Sequence, residues 1–248
     1  MKLREFFDNN KNVAIAFSGG VDSAYLLYEA AHSSAVICAY YVKSDFQPEF
    51  ELNDAKRIAG ELNVTLKIIN VDVLSSSEIA SNPDNRCYYC KKKIFSTIMK
   101  EAAASGFNVI ADGTNASDKI TDRPGMKALA ELSVRSPLRE CGLTKDDIRR
   151  LSKEAGLFTW DKPAYACLAT RITSGELITR EKLRRTEISE AYLASLGFSN
   201  FRIRSFGDNA KIQISDNQLL KLISTKNQIN LELKKYYSSV LLDLEERI

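Results

Sequence analysis

The sequence has a single histidine and only five cysteines among its 248 residues. One histidine, His32, cannot supply a multi-histidine metal site, and a Ser-His-Asp triad would have to be built around it. The N-terminal residues have no apolar core followed by a small-residue cleavage site, so no export signal is evident. An odd number of cysteines in such a chain favours reduced thiols, metal or cluster ligands, or a nucleophile over a disulfide framework.

Long apolar runs and a strong charge of one sign are also missing. The longest apolar stretch, 35–42, has eight residues, far below the roughly 18–20 that a membrane span requires. Lysine and arginine number 35 against 32 acidic residues, and this balance does not indicate a nucleic-acid-binding protein. With 44% hydrophobic residues the composition is that of a globular protein. We therefore expect a soluble, cytoplasmic protein that binds neither membranes nor nucleic acid.

Short β-rich runs alternate with helical patterns over the first 160 residues. The runs at 13–17, 35–42, 66–72 and 108–115 are apolar and mostly β-branched or aromatic. Such runs are typical of strands that are buried on both faces of a parallel sheet. Apolar residues at helical spacing follow the second and third runs. The pattern predicts an α/β fold with a doubly wound parallel sheet and with ligands at the carboxyl ends of its strands.

The pattern changes after about residue 170. A helix is predicted over 180–196, and the segments 201–205 and 211–215 flank a turn in the manner of an antiparallel hairpin. A polar helix near 216–224 and a last strand complete a smaller α+β unit. We therefore predict a main domain over 1–170 and a C-terminal domain over 171–248 that serves substrate binding or oligomerisation.

The most informative segment is a loop between a predicted strand and a predicted helix. It consists of Ser18, Gly19, Gly20, Val21, Asp22 and Ser23. The two glycines let the backbone approach an anion closely, and the N-terminus of the following helix favours negative charge there. Asp22 carries the wrong charge for touching phosphate directly, which suggests that it meets phosphate through Mg²⁺. The loop lacks the Gly-Lys-Ser/Thr ending of a Walker A motif.

This loop resembles the PP-loop of the ATP-pyrophosphatase superfamily, which includes GMP synthetase, NAD synthetase and tRNA thiolases. The resemblance implies the PP-loop type of α/β fold, ATP binding, cleavage between the α- and β-phosphates, and activation of a substrate oxygen as its adenylate. It also places a second nucleotide-binding segment directly after a predicted strand, at Asp112, Gly113, Thr114 and Asn115. Taken alone, these four residues are equally typical of an ordinary turn.

Further segments resemble the LarE family of ATP-dependent sulfur transferases. They include 82–95, the stretch 121–172 with its SPL, GLTK, TWDKPA and ACLATRI motifs, and the predicted hairpin. The resemblance extends from Phe17 to the closing LLDLE. It implies thiolation of the two carboxylates of a pyridinium dicarboxylate mononucleotide, on the route to the nickel-pincer cofactor of lactate racemase. It also implies a sulfide donor and a homo-oligomer, either a trimer or a hexamer.

The cysteines bear on how sulfur is held. Cys87 and Cys90 are three residues apart, so in a helical turn both thiols face one side. The resemblance implies that Cys167 joins them as ligands of a 4Fe-4S cluster with one iron open to an extra sulfide. In family members that have only the cysteine matching Cys167, that residue gives up its own sulfur. A zinc knuckle, a redox pair and inert thiols are the remaining alternatives, and Cys38 and Cys141 are expected to pack in the structure.

Four further residues are candidates for substrate binding. Arg202 and Arg204 project from one face of a predicted strand and could clamp a phosphate or carboxylate, or they could form a solvated face. Arg171 follows Cys167 closely in the sequence, and we expect it to help hold an anionic substrate. Glu190 matches a position near the substrate in the LarE family, or it is a surface charge.

Other functions are also compatible with the loop. One is that of a tRNA thiolase, but the nearly neutral chain has no basic patch to bind tRNA. Another is that of an ammonia-using ligase, which would not need the cysteines. The non-enzyme alternative is a nucleotide-sensing or sulfur-carrying module.

Overall fold

The computed structural model describes residues 3–118 and 124–247, so the first residues of the 121–172 segment lie outside it. None of the helices within these ranges is both long and apolar enough to cross a membrane. The elements follow in chain order as α1 (Leu3–Asn9), β1 (Asn12–Ala16), α2 (Val21–Ala31), β2 (Val36–Lys43), α3 (Glu49–Glu61), β3 (Leu66–Asn70), α4 (Ser77–Ala80), α5 (Arg86–Ala104), β4 (Val109–Ala111), α6 (Pro124–Glu131), α7 (Pro137–Glu140), α8 (Lys145–Glu154), α9 (Arg180–Ser195), β5 (Arg202–Phe206), β6 (Asn209–Gln213), α10 (Leu219–Leu233) and β7 (Ser239–Leu242).

The chain divides into two compact units. The first unit comprises Met1–Val73 and Asn85–Tyr165, and the second comprises Leu74–Asp84 and Ala166–Ile248. The division at 165 lies close to the change of pattern that the sequence shows near residue 170. The transfer of 74–84 to the second unit has no counterpart in the predicted domains.

The first unit contains a four-stranded parallel sheet in the order β3-β2-β1-β4. Val13 and Ile15 of β1 lie in one hydrophobic core with Leu26 and Leu27 of α2. Ala14 is also fully buried, and because side chains alternate along a strand it faces the opposite side of the sheet. Helix α5 contacts β1 and β2. The predicted doubly wound α/β fold is confirmed.

The strand order reverses beside β1. The chain proceeds from β1 to β2 and β3 on one side and later places β4 on the other side. In open parallel sheets such a reversal leaves a crevice at the carboxyl ends of the two strands, where ligands bind. The fourth strand is shorter than the predicted run 108–115, because it ends at Ala111. Residues 112–115 are therefore available to form a loop at this crevice.

The second unit is built on a three-stranded sheet in the order β5-β6-β7. Strands β5 and β6 form the predicted antiparallel hairpin, and β7 runs parallel to β6. Ile203 and Ile212 lie in its core together with residues of α9 and α10. The segment 74–84 is held in this unit by backbone hydrogen bonds, among them Gly175 N to Asn82 O at 2.8 Å and Ile178 N to Ala80 O at 2.8 Å.

Candidate active site

The loop 18–23 leaves the carboxyl end of β1 and enters α2 at Val21. Its two serines hold it closed: the Oγ atoms of Ser18 and Ser23 lie 3.1 Å apart, and Ser23 Oγ donates to Gly20 O at 3.1 Å. Gly20 is the N-cap of α2 and has no side chain to cap the helix. The free N–H groups of the first turn are therefore available to an anion, as the sequence predicts for a phosphate loop.

Two glycines allow close backbone approach around this loop. Gly19 has φ +75, and a Cβ atom there would lie 3.0 Å from Glu51 O, so this position of the loop packs against α3. At Gly113 a Cβ atom would lie 2.9 Å from Ser23 N and 3.1 Å from Ser23 Cα. Since real Cβ atoms do not approach backbone this closely, only glycine lets the 112–115 loop lie against the start of α2.

The 112–115 loop is shaped by a buried carboxylate. Asp112 Oδ1 accepts from Ser136 Oγ at 2.7 Å and from Thr114 N at 3.2 Å, and Oδ2 accepts from Thr114 Oγ1 at 2.5 Å. Asp112 and Thr114 thus fix the loop. Asn115 faces the PP-loop, and its Nδ2 donates to Asp22 Oδ1 at 3.2 Å.

Lys145 is a site residue that the sequence analysis did not single out. Its ammonium group lies 2.5 Å from Asp22 Oδ2, and both side chains are half-buried. Lys145 is the first residue of α8, and the capping box of Thr144 and Asp147 fixes that end of the helix. The partner of Lys145, Asp22, lies 123 residues earlier in the chain. Asp22 is therefore held by one ammonium and one amide.

A cavity of about 510 Å³ in the first unit opens onto these loops. Its walls include Ser18, Asp22 and Gly113 on one side and Cys87 and Lys91 of α5 on the other. The volume lies within the range that small-molecule sites occupy. The cavity thus brings the PP-loop, the 112–115 loop and the first cysteine of the Cys-x-x-Cys pair together.

The cysteines differ in their surroundings. Cys87 is exposed and Cys90 half-buried on the first turns of α5, whereas half-buried Cys167 is the N-cap of a 3-10 turn, Leu168–Arg171, in the second unit. Burial raises the pKa of the Cys38 and Cys141 thiols, which makes both poor nucleophiles. The five cysteines form no disulfides with one another. Within the described residues, no three His, Cys, Asp or Glu side chains are grouped as ligands for a metal ion.

Arg171 and Glu190 are buried in the second unit and bind each other. The Nε of Arg171 donates to Glu190 Oε1 at 2.9 Å and its Nη2 to Oε2 at 3.1 Å. Arg171 Nη1 also donates to Ala166 O at 2.6 Å, and Glu190 Oε1 accepts from Ile203 N at 3.0 Å. The pair therefore connects the backbone beside Cys167 to strand β5.

Arg202 and Arg204 lie on one face of β5, on either side of buried Ile203. Arg204 makes two long hydrogen bonds of 3.3 Å, to Gln213 Oε1 and to Thr170 O. The buried Nε of Arg202 has no hydrogen-bond partner among the described residues. Burial, followed by the nearby guanidinium groups of Arg171, Arg247 and Arg204, lowers the pKa of Arg202 to about 10.

Comparison with known proteins finds several relatives of this chain. The family model described as queuosine biosynthesis protein QueC matches residues 12–110, which include the PP-loop. The pyridinium-3,5-bisthiocarboxylic acid mononucleotide synthase of Lactiplantibacillus plantarum is 31% identical over 94% of this chain and 86% of its own length. An uncharacterised protein of Synechocystis is 37% identical over 89% of this chain and 83% of its own. A tRNA-specific 2-thiouridylase of Pseudothermotoga lettingae is 29% identical over 60% of this chain and 53% of its own.

The fold and the loop define a member of the PP-loop ATP-pyrophosphatase superfamily. Within it, the chain belongs to the LarE family of ATP-dependent sulfur transferases.

Proposed function

We propose that this protein uses ATP to activate a carboxylate of a pyridinium dicarboxylate mononucleotide and then converts it to a thiocarboxylate. The observation that carries the proposal is the cavity of the first unit, which the PP-loop and Cys87 both line. The similarity to the L. plantarum synthase over most of both chains supports the choice of substrate.

The first step is adenylation. A carboxylate oxygen of the substrate attacks the α-phosphorus of ATP, the bond to the β-phosphate oxygen breaks, and pyrophosphate leaves. The N–H groups at the start of α2 and the hydroxyls of Ser18 and Ser23 would bind the phosphates, and Asp22 would hold Mg²⁺ against them. The residues present fit that ion, because carboxylate oxygen is its preferred protein ligand. The protein supplies position and charge neutralisation in this step.

The second step is sulfur transfer. Sulfide attacks the acyl carbon of the adenylate, the bond to AMP breaks, and a thiocarboxylate forms with loss of one proton. We propose that Cys87, Cys90 and Cys167 hold the sulfur for this step as ligands of a 4Fe-4S cluster. The donors suit such a cluster chemically, since thiolates are its usual ligands and Cys87 and Cys90 are one helical turn apart, but the three thiols are not grouped within the described residues. A cluster with three protein thiolates has one iron free for a further ligand.

The substrate's phosphate is assigned to the second unit. Arg202 and Arg204 are two cations on one strand face, and the buried Nε of Arg202 is unsatisfied within the described residues. A charge-assisted contact to phosphate would satisfy it. Arg171 and Glu190 would act less directly, since each already binds the other. The family resemblance further predicts a sulfide donor and a homo-oligomer, either a trimer or a hexamer. Light scattering measures this oligomeric state.

The experiment supplies ATP, Mg²⁺, sulfide and the pyridinium dicarboxylate mononucleotide, and it measures pyrophosphate, AMP and thiocarboxylate. We expect all three products, and Asp22→Asn should abolish them while the circular dichroism spectrum is retained. Asp8→Asn, which changes an exposed carboxylate of the same unit, should behave as the parent protein. Release of orthophosphate instead of pyrophosphate would contradict the PP-loop assignment. Thiolation of unmodified tRNA in a parallel assay would favour the tRNA thiolase alternative that the 2-thiouridylase similarity raises.

A further inference from the structure

Three arginines of the second unit lack carboxylate partners. Among the described residues, Arg202, Arg204 and Arg247 take part in no salt bridge, although all three are half-buried. The two nearby carboxylates are already neutralised. Glu190 binds Arg171, and Asp243 lies 2.8 Å from Lys211 Nζ. Half-buried guanidinium groups without counter-charge are costly, and a bound anion would relieve that cost.

Arg247 is fixed in place beside the other two. Its backbone N donates to Ile214 O at 3.0 Å, and Ile214 follows Gln213, which is paired with Arg202 across the hairpin. Its Nε donates to Asn200 Oδ1 at 2.9 Å, two residues before Arg202. Arg247 is thus held at the Arg202 end of β5 by one backbone and one side-chain contact. Its two Nη groups make no hydrogen bonds to the described residues.

Nearby guanidinium groups lower the pKa of both Arg247 and Arg202. Burial comes first and the guanidinium group of Arg171 second among the causes that lower the pKa of Arg247, and Arg204 contributes as well. Arg247 in turn lowers the pKa of Arg202. These effects on the pKa of Arg247 and of Arg202 agree with the contacts of Arg247 to Ile214 and Asn200 in placing it near both arginines of β5.

We propose that Arg247 is a third binding residue for the phosphate group of the substrate, together with Arg202 and Arg204. This inference rests on the proposed function for the identity of the nucleotide. Three guanidinium groups match a phosphomonoester, which carries close to two negative charges at neutral pH and has three acceptor oxygens. Free inorganic phosphate has the same chemistry, so the experiment has to separate the two sources.

The test is calorimetric titration of the full chain, without ATP, with nicotinic acid mononucleotide, with nicotinic acid riboside and with inorganic phosphate. We expect Arg247→Gln to weaken mononucleotide binding by about tenfold or more, as Arg202→Gln should, because each removes a charge-assisted contact. Riboside binding should be unchanged by either variant. Arg184→Gln removes an equally charged but exposed side chain of the same unit and should bind as the parent protein does.

Two results would overturn the proposal. If Arg247→Gln binds the mononucleotide as tightly as the parent while Arg202→Gln does not, Arg247 lies outside the site. If inorganic phosphate binds as tightly as the mononucleotide with the same dependence on Arg247, the site serves free phosphate. Neither result involves pyrophosphate release, so failure of this inference is distinguishable from failure of the proposed adenylation.

Discussion

Asp22 shows how distant parts of the chain can fix a single side chain. One carboxylate oxygen accepts from Asn115 and the other contacts the ammonium group of Lys145. Asn115 lies in the loop that follows β4 and Lys145 is the first residue of α8, so three distant segments of the sequence determine one rotamer. A carboxylate that is held in this way loses little freedom when a metal ion binds.

We therefore predict that Lys145→Gln lowers kcat/KM for ATP in the pyrophosphate-release assay. The loss of a charged hydrogen bond to Asp22 corresponds to about 1–3 kcal/mol, or roughly a tenfold to hundredfold decrease. Lys56→Gln is the matched control, because Lys56 is exposed on α3 of the same unit. Equal kcat/KM values for the two variants would show that Asp22 does not depend on Lys145.

At the scale of elements, the crevice depends on how the loop after β4 meets the start of α2. Asp112 and Thr114 hold that loop, and Gly113 allows it to contact Ser23. The motif at 112–115 was weak in the sequence because its residues equally suit an ordinary turn. In the structure Asp112 and Thr114 bind each other and Asn115 binds Asp22. Gly113 is required because a Cβ atom there would collide with the backbone of Ser23.

We predict that Gly113→Ala displaces the 112–115 loop from α2 and with it Asn115 from Asp22. The added methyl group should cost about 1–3 kcal/mol of unfolding free energy, as overpacking usually does, and should weaken ATP binding. Urea denaturation and calorimetry measure the two effects. Gly60→Ala in α3 is the control, since no heavy atom lies within 4 Å of its added Cβ. ATP binding of parental strength in Gly113→Ala would contradict this account of the loop.

At the scale of the whole molecule, the sequence predicted the strands of the first unit and the hairpin of the second. A buried parallel strand is a continuous apolar run, and each strand of a hairpin alternates apolar with polar residues. Both patterns can therefore be recognised within a short segment of sequence. The sequence did not predict α1, because seven residues are too few to show a helical period of apolar residues. Phe6 and Phe7 of this helix are nevertheless fully buried. Nor did the sequence predict that 74–84 joins the second unit, because hydrogen bonds such as Asn82 Nδ2 to Thr173 O link residues 91 positions apart.

The contacts within the candidate site could be predicted from the sequence only in part. The segments 18–23 and 112–115 can be recognised in the sequence because their glycines and polar residues form a motif, and their role in ATP binding stays a prediction. The ion pair of Lys145 with Asp22 and the contacts of Arg247 with Asn200 and Ile214 are not evident from the sequence, since contacts between distant residues leave no periodic signal in it. Arg171 and Glu190 were proposed as substrate contacts, and their buried mutual ion pair became visible only in the structure.

The last prediction concerns how the whole protein holds sulfur. If Cys87, Cys90 and Cys167 share a 4Fe-4S cluster, anaerobically prepared protein should be brown, absorb broadly at about 400 nm and contain about four irons per chain. Alanine at any one of the three should abolish both iron binding and thiolation, because two thiolates hold a cluster poorly. Cys38→Ala and Cys141→Ala are the controls and should retain both, since burial raises the pKa of these two thiols.

The alternative, in which Cys167 gives up its own sulfur, predicts a different set of results. Only Cys167 would then be essential, and one turnover would lower the mass of the chain by about 34 Da, the loss expected when a reactive thiol leaves as hydrogen sulfide. Mass spectrometry after turnover on added sulfide distinguishes the two routes. An intact Cys167 after repeated turnover supports the cluster, whereas dehydroalanine at 167 in a colourless, iron-free protein would refute it.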